Sequence, residues 1–379
     1  MTSAPAPIDR GSLLLPDGVH HLLSGGEAPI PRATLDAYRR YTEAKAAGLP
    51  GRNALEAAHA SARETLGRHL GMQDGHDIAF LGSMSAALAA AIGAFDWRDG
   101  DNLVVLADEF PSVVLAGRSV ERLGVELRVV PVQPGEAPEQ AILGAVDART
   151  RLAAISHVSF RHGLRIDVPA LATRLHAAGV ALALDVSHSL GVLEIPVAEC
   201  DILVSCGHKF LLGAHGTGIL VWNETRLGRP AHATPSWSSV RDYDTADGRL
   251  AFTPLEGGRA FEMGNADFPA LYALKSGLDL LARSCAAAIE RHALALSGEL
   301  RARLAAAGHA VWTPEASERR GTSIAIGMAR SVEGAARLAE EGVLVASGDG
   351  RIRISLHGFN TEADVAAVVD ALSRAVSNP

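Results

Sequence analysis

The sequence predicts an α/β fold: a large domain built on a mostly parallel sheet flanked by helices, followed by a smaller C-terminal α+β domain. Three observations predict it. Between about residues 55 and 225, short apolar runs alternate with helix-length segments. Those runs are continuous rather than alternating, as in strands buried on both faces. Beyond about residue 265 the pattern changes to long amphipathic helices separated by alternating strands.

The elements follow in order. The start, MTSAPAPIDRGS, is Pro/Ala-rich, and residues 1–15 are expected to be flexible. The large domain is expected over 16–264 and the smaller one over 265–379. Leu55 to Leu70 reads as a helix. Ile78 to Leu81 is a short apolar run, and Ser83 opens a helix to Phe95. Leu103 to Ala107 (LVVLA) is a buried strand with a helix near Val113 to Leu123 after it. Leu152 to Val158 is a strand. Asp167 caps a helix through Ala178, which Gly179 ends. Val180 to Val186, Ile202 to Ser205 and Ile219 to Trp222 complete the strands of the large domain.

In the smaller domain, Ile289, Ala293, Leu296, Leu300 and Leu304 recur at helical spacing. So do Val365, Val368, Val369, Leu372 and Val376, in a helix that Thr361 can cap. Between them Ile324, Ile326 and Met328 mark one strand. RIRISLHG marks another, with Ile352, Ile354 and Leu356 on one face and Arg351, Arg353 and Ser355 on the other. That polar face is suited to meeting the large domain.

Composition narrows the function class. The 379 residues are 48% hydrophobic and 21% charged, with a net charge of −8, which disfavours a nucleic-acid or anionic-membrane surface. The apolar stretch Met84 to Phe95 is too short to span a bilayer. Cys200, Cys206 and Cys285 form no CxxC pair, and there is no HExxH, so no metal site is expected. A reduced, cytoplasmic compartment is the expectation. Neither GxGxxG nor a Walker loop is present.

The segment from Ser156 to Trp222 carries the chemistry. It reads ISHVSFRHG, then ALALDVSHSLG, then ILVSCGHKFLLGAHGTGILVW. Asp185 ends one apolar strand and Lys209 follows another. Ligands of parallel sheets bind beyond the carboxyl ends of the strands, so both side chains should reach one crevice. A lysine beside a carboxylate in a dry crevice suits a Schiff-base cofactor. The carboxylate keeps a pyridine nitrogen protonated, so the ring can accept electrons. Read singly, these residues have plainer uses. Lys209 could lie on the surface, Asp185 could cap a helix, His188, His208 and Phe110 could pack, and Arg353 could sit in a salt bridge.

Asp185, His188, Cys206-Gly207-His208-Lys209 and Gly213/Gly216/Gly218 together resemble the class V aminotransferase family. That family includes cysteine desulfurases, isopenicillin N epimerase-like proteins and kynureninases, all of fold type I. The resemblance implies pyridoxal 5'-phosphate as cofactor, with Lys209 covalently joined to it and Asp185 on its pyridine nitrogen. It implies His188 by the phenolic oxygen, His208 at the phosphate and Cys206 hydrogen-bonded near it. Ser83-Met84-Ser85 resembles the phosphate loop, where the free N–H groups of a helix start bind phosphate. Phe110, in Glu109-Phe110-Pro111-Ser112, takes the place of the aromatic that stacks on the ring. Glu262-Met263-Gly264-Asn265 resembles a segment that reaches a phosphate across a homodimer interface. RISLHGFN resembles the motif that binds substrate carboxylate, which gives that role to Arg353.

The resemblance implies a small amino-acid substrate but leaves the reaction open. The stretch GVLVASGDGRIRIS holds no cysteine where a desulfurase carries its sulfur acceptor. DVSHS, CGHKF and HVSFRHG resemble the kynureninase version. RISLHGFN, however, is desulfurase- or epimerase-like, and PSWSS at 235–239 does not match kynureninase's aromatic pocket. The expectation is a lyase cleaving a side-chain bond. Transamination, epimerisation and decarboxylation are alternatives, as is a non-catalytic protein of the same fold.

Overall fold

The computed structural model describes residues 5–377 apart from 74, 134, 231 and 245–250. Its strands are β1 (His20–His21), β2 (Ile78–Leu81), β3 (Asn102–Leu106), β4 (Glu126–Val130), β5 (Thr150–Ser156), β6 (Ala181–Asp185), β7 (Ile202–Cys206), β8 (Gly218–Trp222), β9 (Val240–Asp244), β10 (Ala251–Pro254), β11 (Ser323–Gly327), β12 (Val343–Leu344), β13 (Ala346–Gly348) and β14 (Arg351–Ser355). Its helices are α1 (Ala33–Ala46), α2 (Leu49–His69), α3 (Met84–Gly93), α4 (Pro111–Arg118), α5 (Pro138–Gly144), α6 (Val168–Ala177), α7 (Glu224–Leu227), α8 (Phe268–Leu281), α9 (Ala286–Ala306), α10 (Ser331–Glu340) and α11 (Glu362–Ser377).

Seven strands form the central sheet in the order β2-β8-β7-β6-β5-β3-β4. β8 runs antiparallel to both neighbours, and the remaining neighbours are parallel. The short segment 207–217 between β7 and β8 has no room for a crossover helix, so β8 must return antiparallel. Every strand of the sheet except β8 therefore ends at one edge. The strands are apolar throughout because both faces are covered. Val104, Ala153, Leu182 and Leu203 pack on one face with Leu171 of α6 and Leu274 of α8. Leu103, Leu152, Ala183 and Val204 pack on the other with Leu88 of α3 and Val113 of α4.

A second core joins α9, α11, β11 and β14 through Leu300, Ile324, Ile352, Ile354, Val365 and Leu372. The side chain of Val376, expected on the same face of α11, lies outside the described residues. Leu22 belongs to this core, and β1 pairs in parallel with β12, so the N-terminal segment contributes to the smaller unit. Among the described residues no helix is long and apolar enough to cross a membrane.

Several expectations are corrected. Residues 1–4 lie outside the described residues, but the rest of the expected flexible start packs. Ile8 and Leu13 are buried, and the Ile8 N–H donates to the Gly358 carbonyl at 3.0 Å. Burial of these two apolar side chains outweighs the loss of chain freedom. α8 lies beyond residue 264, yet Leu271, Leu274 and Leu278 pack into the larger core. The helix expected over 113–123 stops at Arg118. A 3-10 turn at Glu121–Leu123 follows, ended by Gly124 in the left-handed region at φ 78°. The strand expected to include Met328 ends at Gly327. Thr361 precedes α11 by giving its N–H to Asp364 at 2.8 Å, and its hydroxyl also donates to that carboxylate. It therefore uses the opposite half of the reciprocal cap.

Candidate active site

The carboxyl ends of β2, β3, β5, β6 and β7 meet at one edge of the sheet, where a cavity of about 450 Å³ opens. Ser83, Met84, Ser85, Phe110, His188, Cys206, His208, Lys209 and Arg353 all line it. Asp185 ends β6 and is buried. Asp185 lies behind the lining, and Asn265 is away from the cavity altogether, exposed and accepting a hydrogen bond from Arg52 Nη1 at 2.8 Å.

Lys209 stands on the turn after β7. That turn is closed by the Gly207 N–H donating to the Thr217 carbonyl at 2.9 Å and the Gly213 N–H to the Gly207 carbonyl at 2.9 Å. Leu212 takes φ 58°, a strained left-handed conformation for a branched side chain, which the turn enforces. Lys209 Nζ lies 3.3 Å from His188 Nε2 and 5.6 Å from the centre of the Phe110 ring. Burial, then the charges of Lys209, Arg353 and Arg351, hold the His188 imidazole far below its ordinary pKa. It is therefore neutral and can accept from the lysine at Nε2. The Asp185 carboxylate accepts the Ser187 N–H at 2.8 Å. Its burial raises its pKa against that hydrogen bond and the Lys209 charge.

Ser83 caps α3, its hydroxyl accepting the Ala86 N–H at 3.1 Å. The N–H groups of Met84 and Ser85, in the first turn of α3, have no acceptor within the helix and open on the cavity edge. Gly218 permits this arrangement: a Cβ there would lie 2.1 Å from the Ser83 carbonyl carbon and oxygen. Ser85 Oγ is 2.7 Å from Ser112 Oγ. His208 stacks on His215 at 4.3 Å, and burial, then His215 and Lys209, lower its pKa to about 4. Burial raises the Cys206 thiol pKa, which disfavours the thiolate.

Arg353 reaches the cavity from β14. Its guanidinium donates to the Phe160 carbonyl at 2.6 Å and the Gly25 carbonyl at 3.0 Å. Burial, then Arg351, lowers its pKa to about 10, so it stays cationic near neutral pH. Other lining residues were not among the expected site residues, although Phe160 stands within the HVSFRHG stretch. Phe160 packs edge-on against Phe110 at 5.3 Å, and Gly25 and Gly26 come from the N-terminal loop. Gly25 lies against His188, where a Cβ would stand 3.2 Å from Cε1. His215 and Thr217 lie inside the glycine turn, whose spacing was the available clue.

Four buried polar atoms of the lining have no partner among the described residues: Ser187 Oγ, His188 Nδ1, Thr217 Oγ1 and Arg353 Nε. Such atoms are costly unless a ligand completes them. With the open helix start, the lysine and the buried carboxylate, they fit a phosphorylated pyridine. No group of three or more His, Cys, Asp or Glu side chains suited to a metal occurs among the described residues.

The chain is similar to known proteins in sequence and in fold. The family model for aminotransferase class-V matches residues 20–368. Isopenicillin N epimerase of Streptomyces clavuligerus is 28% identical, with 96% of each chain covered. A kynureninase of Deinococcus radiodurans is 27% identical over 59% of this chain and 53% of its own. The apo structure of a cysteine desulfurase from Thermococcus onnurineus NA1 superposes with a TM-score of 0.87, at 20% identity and covering 100% of both chains. The chain belongs to the aminotransferase class-V family of pyridoxal 5'-phosphate-dependent enzymes.

Proposed function

We propose that this enzyme is a lyase that cleaves a side-chain bond of a small amino acid and uses no persulfide-carrying cysteine. The observation that carries the reading is the thiol-free segment 343–356, which brings Arg353 to the cavity facing Lys209. Of the cysteines, Cys200 is buried with its thiol on the Pro196 carbonyl, Cys285 opens α9, and Cys206 is a buried, poorly ionised thiol. The kynureninase relative supports the lyase assignment.

When bound, the cofactor supplies an electron sink for negative charge at the substrate α-carbon. Lys209 is the attachment residue and moves the proton at Nζ, with neutral His188 accepting from that amine. Asp185 supplies the buried negative charge that a protonated ring nitrogen needs. Ser83, Thr217, His208 and the first-turn N–H groups of α3 hold the phosphate. Phe110 and Phe160 exclude water on one side. Arg353 binds the amino-acid carboxylate. A homodimer is the proposed working form, with Asn265 serving the neighbouring subunit. It is exposed close to Met263, which is 61% exposed.

Epimerisation is a second reading, favoured by the epimerase relative that matches over nearly the whole chain. Mass spectrometry of products from a panel of L-amino acids separates the readings. The lyase assignment expects continuous release of a side-chain fragment without an added keto acid. Inversion with the side chain intact would establish the epimerase. Stalling that a keto acid relieves would establish transamination, and no turnover of any kind would leave a non-catalytic protein.

A further inference from the structure

We propose that Arg351 and Arg161 form a second oxyanion subsite, so that the substrate is an amino acid with an acidic side chain. The inference rests on the reading of the Lys209–Arg353 cavity as an amino-acid site. It starts from the alternation of β14, where Ile352 and Ile354 enter the small core while Arg351 and Arg353 share the opposite face. Residues two apart on a strand are about 7 Å apart, a spacing that lets two guanidinium groups take the two carboxylates of one short dicarboxylic amino acid.

Arg353 lines the cavity, while Arg351 and Arg161 stand behind Phe160, which separates them from it. The Phe160 ring lines the cavity and its carbonyl accepts from Arg353. Arg351 Cζ lies 5.2 Å from the ring centre and Arg161 Cζ lies 6.0 Å from it. Two guanidinium groups thus lie against one phenyl ring, and the third, Arg353, holds the backbone carbonyl of the same residue. Asp349 is their carboxylate partner, 2.8 Å from Arg351 Nη1 and 3.9 Å from Arg161 Nη2. It is an exposed side chain on the turn Gly348-Asp349-Gly350, whose φ angles are 135°, 49° and 71°. Asp108, the other acid on this side, is engaged by His162 at 2.8 Å.

With Arg353 assigned to the α-carboxylate, Arg351 and Arg161 share Asp349, and Arg161 also acts on Asp108. What is left unmet is hydrogen-bonding capacity. Arg351 is 6% exposed, and the Nε atoms of Arg161, Arg351 and Arg353 are buried without a partner among the described residues. Buried guanidinium donors left unmet are unfavourable, and an anion from the substrate would complete them. Planar forks of this kind suit carboxylates and similar oxyanions.

The test measures binding to the cofactor-loaded enzyme by calorimetry and by change in cofactor absorbance. L-Glutamate is compared with L-glutamine, and L-aspartate with L-asparagine, so each pair differs in charge and hardly in shape. At least one acid should bind about tenfold or more tightly than its amide. Arg351→Gln should bring that ratio to within about threefold, and Arg161→Gln should lower it. The absorbance of the resting variant reports whether the site has assembled. If Arg351→Gln does not fold, the half-exposed Arg161 decides through its own variant. Equal or tighter binding of both amides would overturn the proposal, as would a ratio unchanged in every folded variant. Binding of neutral amino acids without acidic preference defeats this subsite alone. Failure to bind any of the four defeats the amino-acid site as well.

Discussion

Lys209 Nζ and His188 Nε2 are 3.3 Å apart, and the imidazole is neutral because it is buried beside three cationic side chains. The amine therefore has an acceptor at hand within the cavity. Lys209→Ala should abolish turnover while phosphate contacts still retain free cofactor. Borohydride reduction of the wild type followed by peptide mapping should find the modified residue at 209. The chain has only two other lysines, Lys45 and Lys275, and label on either would reject the assignment.

Asp185→Asn should keep the cofactor linked to lysine but slow turnover by about a hundredfold or more, roughly 2.7 kcal/mol of barrier. An amide has almost the same shape as the carboxylate but cannot hold a positive charge on a ring nitrogen. Steady-state rates at saturating substrate provide the check. A near-normal rate would mean that Asp185 only accepts the Ser187 N–H.

Arg353→Lys should weaken substrate binding by roughly 1.5–3 kcal/mol, because an ammonium cannot form the two parallel bonds of the guanidinium fork. The resting absorbance of the cofactor should change little. An unchanged Michaelis constant would move the carboxylate site elsewhere.

The triple variant Cys200→Ser, Cys206→Ser, Cys285→Ser should remain active. A lyase that expels its leaving group directly requires no sulfur acceptor. Cofactor absorbance and released product are followed together with candidate amino acids. Loss of turnover in a folded, cofactor-bearing triple variant would reject the thiol-independent reaction.

Glu109 gives a stability prediction. Its buried carboxyl accepts the Ser156 N–H at 2.7 Å and the Ser156 hydroxyl at 2.5 Å, and burial raises its pKa to about 7. Between about pH 4.5 and 7 the folded chain therefore holds more protons at this site than the unfolded chain. Its contribution is fully present below that window and declines as pH rises through it. Glu109→Gln cannot titrate and should lose less stability than wild type from pH 5 to 7.5. Urea unfolding of the cofactor-free proteins at both pH values measures the difference. Parallel pH profiles would show that Glu109 does not titrate in this range.

The buried strands were legible in the sequence because each is a short apolar run, and burial on both faces requires such a run whatever the rest of the chain does. Asp185 and Lys209 were legible for the same reason. Each follows a run of this kind, and parallel strands deliver their ends to one edge. The amphipathic helices α9 and α11 showed their apolar spacing directly. Tertiary structure alone decided what faces those strand ends. Gly25 meets Arg353 across 328 residues of chain, Phe160 gains its position from contact with Phe110, and Ile8 is fixed by Gly358. The assignment of α8 to the larger core was decided in the same way. Local pattern encodes the period and burial of a segment, whereas the identity of its neighbours depends on how complete elements pack. That packing brings the two arginines of β14 to Phe160, Arg351 against its ring and Arg353 to its carbonyl.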